Sequence, residues 1–190
     1  EETLQLNTLQ AAYAGDYFKR ESDFTSLAGL LMAKEVPFKA AKVLKDGLER
    51  EIVERSARNL QSYGQAWQLA QEVDEAIPVF KEAAELSDDG KIYERLAYLY
   101  MEDDQYKECV SSAKGAIDKG GLRKLQTIYI VKGMCEFNQN ELKTARRSFV
   151  SCRTESRKDK DNNNVRICAQ WITFIDREAS RQAQLAAAGG

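Results

Sequence analysis

A small residue recurs along this chain every 33 to 36 positions and brings the same neighbours each time. Ala28, Gly64, Ala97 and Gly133 are 36, 33 and 36 residues apart. Twelve positions after each stands Ala40, Ala76, Cys109 or Ala145. Four further on come Leu44, Phe80, Ala113 and Phe149, and three beyond those Gly47, Ala83, Ala116 and Cys152. Self-similarity at such a period is the mark of stacked helix pairs, each unable to bury its apolar face alone. Where two helices cross closely only Gly, Ala or Cys fits, and a larger apolar side chain fills the wedge alongside.

The periodicity is helical throughout, and no segment alternates as a half-buried strand would. Leu60, Tyr63, Gly64 and Trp67 form an i, i+3, i+4, i+7 stripe, and Ile77, Phe80, Ala83 and Ala84 form its partner. The short turn at 71–74 makes the two helices antiparallel neighbours. The first repeat sets Phe24, Leu27, Ala28 and Leu31 against Ala40, Leu44 and Leu48. The third sets Tyr93, Leu96, Ala97 and Tyr100 against Cys109, Ala113 and Ala116, and the fourth Tyr129, Gly133 and Phe137 against Leu142, Ala145 and Phe149. Pro37 suits a first helical turn. Ser87-Asp88-Asp89 offers N-caps before the third repeat, and Gly120-Gly121 ends a helix before the fourth. The predicted organisation is four repeats over about 21–54, 57–89, 90–123 and 126–154. Residues 1–20 read as the second helix of a truncated preceding repeat, closed by Gly15, which predicts further sequence N-terminal to Glu1. A charged, asparagine-rich stretch at 155–164 reads as a solvated polar loop, 165–184 as one amphipathic capping helix and 185–190 as a frayed tail.

Twenty-eight basic residues oppose 30 acidic ones, for a net charge of −2, which gives no general pull towards nucleic acid or an anionic membrane. The longest apolar run, Leu27 to Ala33, has seven residues, far short of a membrane span. Histidine is absent from the sequence. That removes the commonest general base, the commonest metal ligand and the Ser-His and Cys-His nucleophile pairs. There is no glycine-rich phosphate loop, and Cys109, Cys135, Cys152 and Cys168 lack metal-ligand spacing. The chain is therefore expected to have no catalytic residue, no cofactor and no metal. All four cysteines fall at core-type positions where a free thiol acts as a small hydrophobe.

The residues Leu60-Tyr63-Gly64-Trp67 then Ala76-Phe80-Ala83, and Tyr93-Leu96-Ala97-Tyr100 then Cys109-Ala113-Ala116, resemble the tetratricopeptide repeat (TPR) family. The resemblance covers about 21–154. Lys132 departs from it by standing where the fourth repeat should carry leucine, and the proline that usually closes each repeat is missing. The resemblance implies an all-α fold: a right-handed superhelix of antiparallel helix pairs, a TPR-like α-solenoid, ended here by a C-terminal capping helix. It also implies that the first helix of each pair lines a concave partner-binding face. Carried over, that face comprises Thr25, Met32, Arg58, Gln61, Gln65, Gln68, Lys91, Glu94, Tyr98, Met101, Ile130, Met134 and Phe137. Its second-repeat part is polar and glutamine-rich, and its later part aromatic and methionine-containing. Ile130 and Phe137 have a second reading, as packing against neighbouring helices or the cap. Thr25, Gly29, Gln61 and Gln65 do not supply the lysines and asparagines of the chaperone-tail clamp found in some members.

The strings PFKAAKVLKDGLE, AWQLAQEVDEAIPVFKEAAELSDDG and QWITFIDRE look like the C-terminal part of TPR proteins encoded beside bacterial TonB systems. That resemblance implies a non-catalytic interaction scaffold in the periplasm, an accessory to TonB-dependent uptake of iron complexes, with TonB-complex components among its partners. In that oxidising compartment a Cys152–Cys168 disulfide is expected to staple the cap across the polar stretch. A cytosolic TPR adaptor or co-chaperone with reduced cysteines, and a regulatory repeat domain of a larger enzyme, are the alternative readings.

Overall fold

The computed structural model describes residues 2–188. Among them it forms ten α-helices and no strand, and it divides into two compact units, residues 1–87 and 88–190. The first unit holds α1 (Glu2–Ala14), α2 (Glu21–Ala33), α3 (Pro37–Glu49), α4 (Ala57–Leu69) and α5 (Val73–Leu86). The second holds α6 (Lys91–Glu102), α7 (Tyr106–Lys119), α8 (Leu125–Asn138), α9 (Leu142–Lys158) and α10 (Asn162–Ala188). Within each unit consecutive helices lie side by side, and turns of three residues force the two helices of each repeat antiparallel.

The recurring small residue sits where the two helices of a pair touch. A Cβ on Gly64 would lie 3.0 Å from the Phe80 ring, and one on Gly133 would lie 2.7 Å from Phe149. The slot is reciprocal. Glycine faces phenylalanine in the pairs α4–α5 and α8–α9, whereas Ala28 and Ala97 have only Leu44 and Ala113 sixteen positions on. One methyl on the first helix is exchanged for ring volume on the second, as a core at crystal-like density requires. Around each slot the side chains are fully buried, among them Phe24, Leu60, Phe80, Leu96 and Phe149.

Seven residues after each small residue the backbone turns left-handed: Glu35 (φ 59°), Gln71 (φ 62°), Asp104 (φ 56°) and Asn140 (φ 60°). The N–H of the following residue reaches back five positions, as in Val36 N–H to Leu31 O at 2.9 Å and Glu72 N–H to Trp67 O at 3.0 Å. These are Schellman closures, which satisfy the orphan carbonyls at a helix end. They stand without the glycine that would mark them in a sequence. The same conformation closes α1 at Asp16 (φ 57°), so Gly15 is not the turning residue. At the start of α6 the cap position is Gly90, with Asp89 Oδ1 accepting the Lys91 N–H at 3.1 Å.

The expected polar loop at 155–164 is mostly helix. α9 runs to Lys158, α10 begins at Asn162, and only Asp159, Lys160 and Asp161 lie between them. Charge density misled because the charges serve the helix. Lys158 Nζ donates to Glu155 Oε1 at 2.7 Å one turn away, and buried Ser156 donates to the Cys152 carbonyl at 2.8 Å. Asp161 then accepts the Asn164 N–H at 3.1 Å, so acidic and amide side chains build the next helix start. At the other end α10 continues to Ala188 through most of the expected frayed tail, whose residues 189–190 lie outside the described residues.

The fourth repeat carries its departure as a pair. Lys132 and Glu136 take the two slots held by Leu96 and Tyr100 in the third. Lys132 Nζ donates to Glu136 Oε1 at 2.5 Å and to Ser148 Oγ at 2.9 Å, and Ser148 Oγ donates to Glu136 Oε2 at 2.5 Å. Glu136 is 2% exposed. Such a pair offsets its desolvation only while both partners remain. Glu136→Ala should therefore cost about 3 kcal/mol in urea unfolding, whereas Lys132→Leu with Glu136→Leu should cost less than half of that. A left-handed residue other than glycine costs about 1–2 kcal/mol, less the roughly 0.5–1 kcal/mol of extra chain entropy that glycine loses. Gln71→Gly should accordingly raise the urea midpoint by the equivalent of about 0.5–1 kcal/mol with an unchanged slope.

Candidate functional site

In the first unit the face drawn from the sequence divides. Thr25 and Met32 on α2 and Arg58 on α4 line a cleft of about 460 Å³, together with Ser26, Gly29 and Ser62. Gln61, Gln65 and Gln68 lie half-buried on α4 outside that lining. A Cβ on Gly29 would meet nothing within 4 Å, so the cleft is open above that residue. Thr25 and Ser62 donate to the backbone carbonyls of Glu21 and Arg58 one turn back, at 3.1 Å each. Their hydroxyl oxygens remain able to accept from a partner. The exposed Arg58 guanidinium has no carboxylate partner among the described residues. α4 itself is capped by Ser56, whose Oγ accepts the Asn59 N–H at 3.3 Å, and this cap fixes where Arg58 projects. The result is a polar cleft rich in hydroxyls with one available cation.

In the second unit Lys91 is exposed at the start of α6, with Nζ 2.5 Å from Asp89. Glu94 is half-buried, and burial pushes its carboxyl above the ordinary range while Thr127 Oγ1, donating at 3.3 Å, pulls the other way. Tyr98, 37% exposed, is also raised, first by burial and then by the Glu94 charge. Met101 is half-buried on the same helix. Ile130, Met134 and Phe137 are placed differently: they pack on the cluster formed by Phe149, Cys152, Cys168, Ile172 and Ile175 beneath α10. The Phe137 ring lies 5.5 Å from Trp171 and 5.4 Å from Phe174, and Trp171 stacks on Phe149 at 5.0 Å. These three residues thus answer to the closing helix. For Ile130 and Phe137 this is the packing arrangement, with α10 supplying the aromatic rings, and Met134 packs with them.

Two kinds of residue were missed. Thr127 stands six positions before Gly133, the offset of Arg58 from Gly64 and Lys91 from Ala97, so repeat spacing would have found it. The same spacing carried 36 positions past Gly133 lands on Ala169, with Val165, Cys168 and Ile172 in the neighbouring slots. α10 is by this pattern the first helix of a fifth repeat, with Asn163, Arg166, Gln170 and Thr173 at the outward offsets.

Cysteine placement differs from the reading of Cys109 as a lone alanine-sized residue. Cys109 on α7 is disulfide-bonded to Cys135 on α8, with Cα atoms 6.3 Å apart. Cys152 on α9 is bonded to Cys168 on α10, with Cα atoms 6.2 Å apart. Spacing alone hid the first pair: 26 residues separate two slots that face each other only once consecutive repeats stack. Among the described residues no cluster of three or more His, Cys, Asp or Glu could hold a metal, and no helix is long and apolar enough to cross a membrane. The Cys152–Cys168 bond closes a loop of 16 residues, for which chain entropy gives about 3 kcal/mol. Cys152→Ala with Cys168→Ala should lose about that much in equilibrium unfolding of the oxidised protein.

No family model and no curated protein matches the chain. Solved structures do. A crystal structure of MamA superposes with a TM-score of 0.67 at 16% identity, over 82% of this chain and 89% of that one. YrrB, described as a TPR protein with an unusual peptide-binding site, gives 0.59 at 14% identity, over 87% and 90%. The TPR2B domain of yeast Sti1, in complex with pHsp70, gives 0.55 at 16% identity, over 64% and 97%. Identities this low carry the fold and nothing finer, and the fold they carry is the tetratricopeptide-repeat α-solenoid.

Proposed function

We propose that this chain is a non-catalytic protein-interaction scaffold that holds a partner segment on its first-helix faces. In the finer form of that reading it serves a TonB-dependent iron-complex uptake system from the periplasm. The observation that carries the scaffold reading is the open cleft between α2 and α4, with hydroxyls, the uncovered Gly29 and the available Arg58. Such a surface suits a peptide main chain, whose amides and carbonyls need partners of both kinds. The fold agrees, since two of the similar structures are described by a peptide-binding site and by a complex. Binding here is passive: helices fixed by core packing present side chains already in place, which limits the ordering cost of association. Two disulfides support an oxidising compartment. The TonB assignment rests on the likeness of the three sequence strings.

A photo-crosslinking side chain at Ser26, in the cleft, should capture one discrete partner in cells, and the same group at exposed Lys39 on α3 should not. Capture from Lys39 alone would remove the cleft from the mechanism. Mass spectrometry of the product should return a TonB-system component, and a cytosolic partner would overturn the periplasmic form. Protein taken from its native cell and denatured without reductant should show no free thiol, whereas four would overturn the oxidising compartment.

A further inference from the structure

α10 carries an interaction surface of its own. Phe174 is 50% exposed although it sits against Phe137 and Trp171, its ring 5.4 Å and 5.8 Å from theirs. With Ile167, Gln170 and Trp171 it lines a shallow apolar hollow of about 300 Å³. A neighbouring depression on the same helix is bounded by Arg166, Thr173 and Arg177 together with Gln170 and Phe174. Charge on this helix is unevenly settled. Its carboxylates are Asp176 and Glu178. Asp176 is held by Arg146 of α9 at 2.7 Å, and Glu178 by Arg181 at 2.6 Å. Arg166 finds only the Asn163 side-chain oxygen, at 3.3 Å. Arg166 and Arg177 therefore have no carboxylate partner among the described residues, and both border the exposed aromatic ring. An aromatic centre rimmed by arginines has the composition of a binding hot spot.

We infer that this face of α10 binds a peptide segment that carries carboxylates beside an apolar anchor. The anchor seats against Phe174 and Trp171, and the carboxylates pair with Arg166 and Arg177, where guanidinium forks can engage them bidentately. A second copy of this chain is the poorer fit. The slot that would face a fifth-repeat second helix is Ala169, and two turns beyond it Asp176 is already engaged by Arg146. The inference rests on the scaffold reading and names the partner chemistry at one of its faces.

The test is fluorescence anisotropy with a labelled dodecapeptide carrying a leucine–phenylalanine pair followed by four glutamates. At low salt it should bind at least fivefold more tightly than the same peptide with four glutamines, and than tetraglutamate alone. Arg166→Gln with Arg177→Gln should abolish the difference between the two dodecapeptides. Phe174→Ala should weaken both, and far-ultraviolet circular dichroism shows whether each variant is folded. Equal binding of the acidic and amide peptides, discrimination that survives in the arginine double variant, or no binding of either would overturn the inference. If Ser26 still crosslinks its partner while α10 ignores the acidic peptide, this inference fails and the scaffold reading stands.

Discussion

Everything in this chain depends on how closely two helices approach at one residue per repeat. At Gly64 and Gly133 no Cβ fits without displacing a phenylalanine ring. Each pair then buries its apolar stripes to full depth, and the outward positions of the first helix are set by rotation from that contact. The cleft beside Arg58 and the offsets of Lys91 and Thr127 follow from the same geometry. A site on this fold is a by-product of packing, written on whichever side of the helix the core does not use.

Residues 88–190 add covalent and ionic devices to that scheme. Cys109–Cys135 ties α7 to α8, and Cys152–Cys168 ties α9 to α10. The same unit holds the Lys132–Glu136–Ser148 network, in which Lys132 and Glu136 occupy the slots of Leu96 and Tyr100 in the third repeat. Polar groups at this depth hold only in one arrangement, since every donor and acceptor there must find its partner. Cys109 and Cys152 fill small slots and link neighbouring helices at once, so at these two positions size and covalency are satisfied by the same residue.

The helix pairs were legible in the sequence because the small residue, the alanine slots and the aromatic wedges repeat at fixed offsets. A turn was placed at 71–74, within two residues of the one at 70–72, but the left-handed conformation of Glu35, Gln71 and Asp104 was not legible, because glycine is its usual marker. The stretch at 155–164 read as a solvated polar loop by composition, yet its charges pair one turn apart and Ser156 anchors the last turn of α9 in the core. Of the candidate faces, the exposure of Arg58 and Tyr98 was legible from offset alone. For Phe137 the sequence left binding and packing against the cap both open, because its environment is made by Trp171 and Phe174, more than 30 residues away. Ala169 marks α10 as repeat-like, and its slot neighbours carry no aromatic residue to draw the eye.

The exchange of glycine–phenylalanine for alanine–leucine across a helix pair has a consequence for how such a chain can change. Neither position is free to drift alone. A methyl gained at Gly64 meets the Phe80 ring, while a ring lost at Phe80 leaves a hole beside Gly64. The two sites behave as one heritable unit with two acceptable states, and a repeat copied whole carries its own matched pair. Duplication of intact repeats is thus a smoother path for this architecture than point substitution within one, and the outward offsets of the first helix can diversify without disturbing the match.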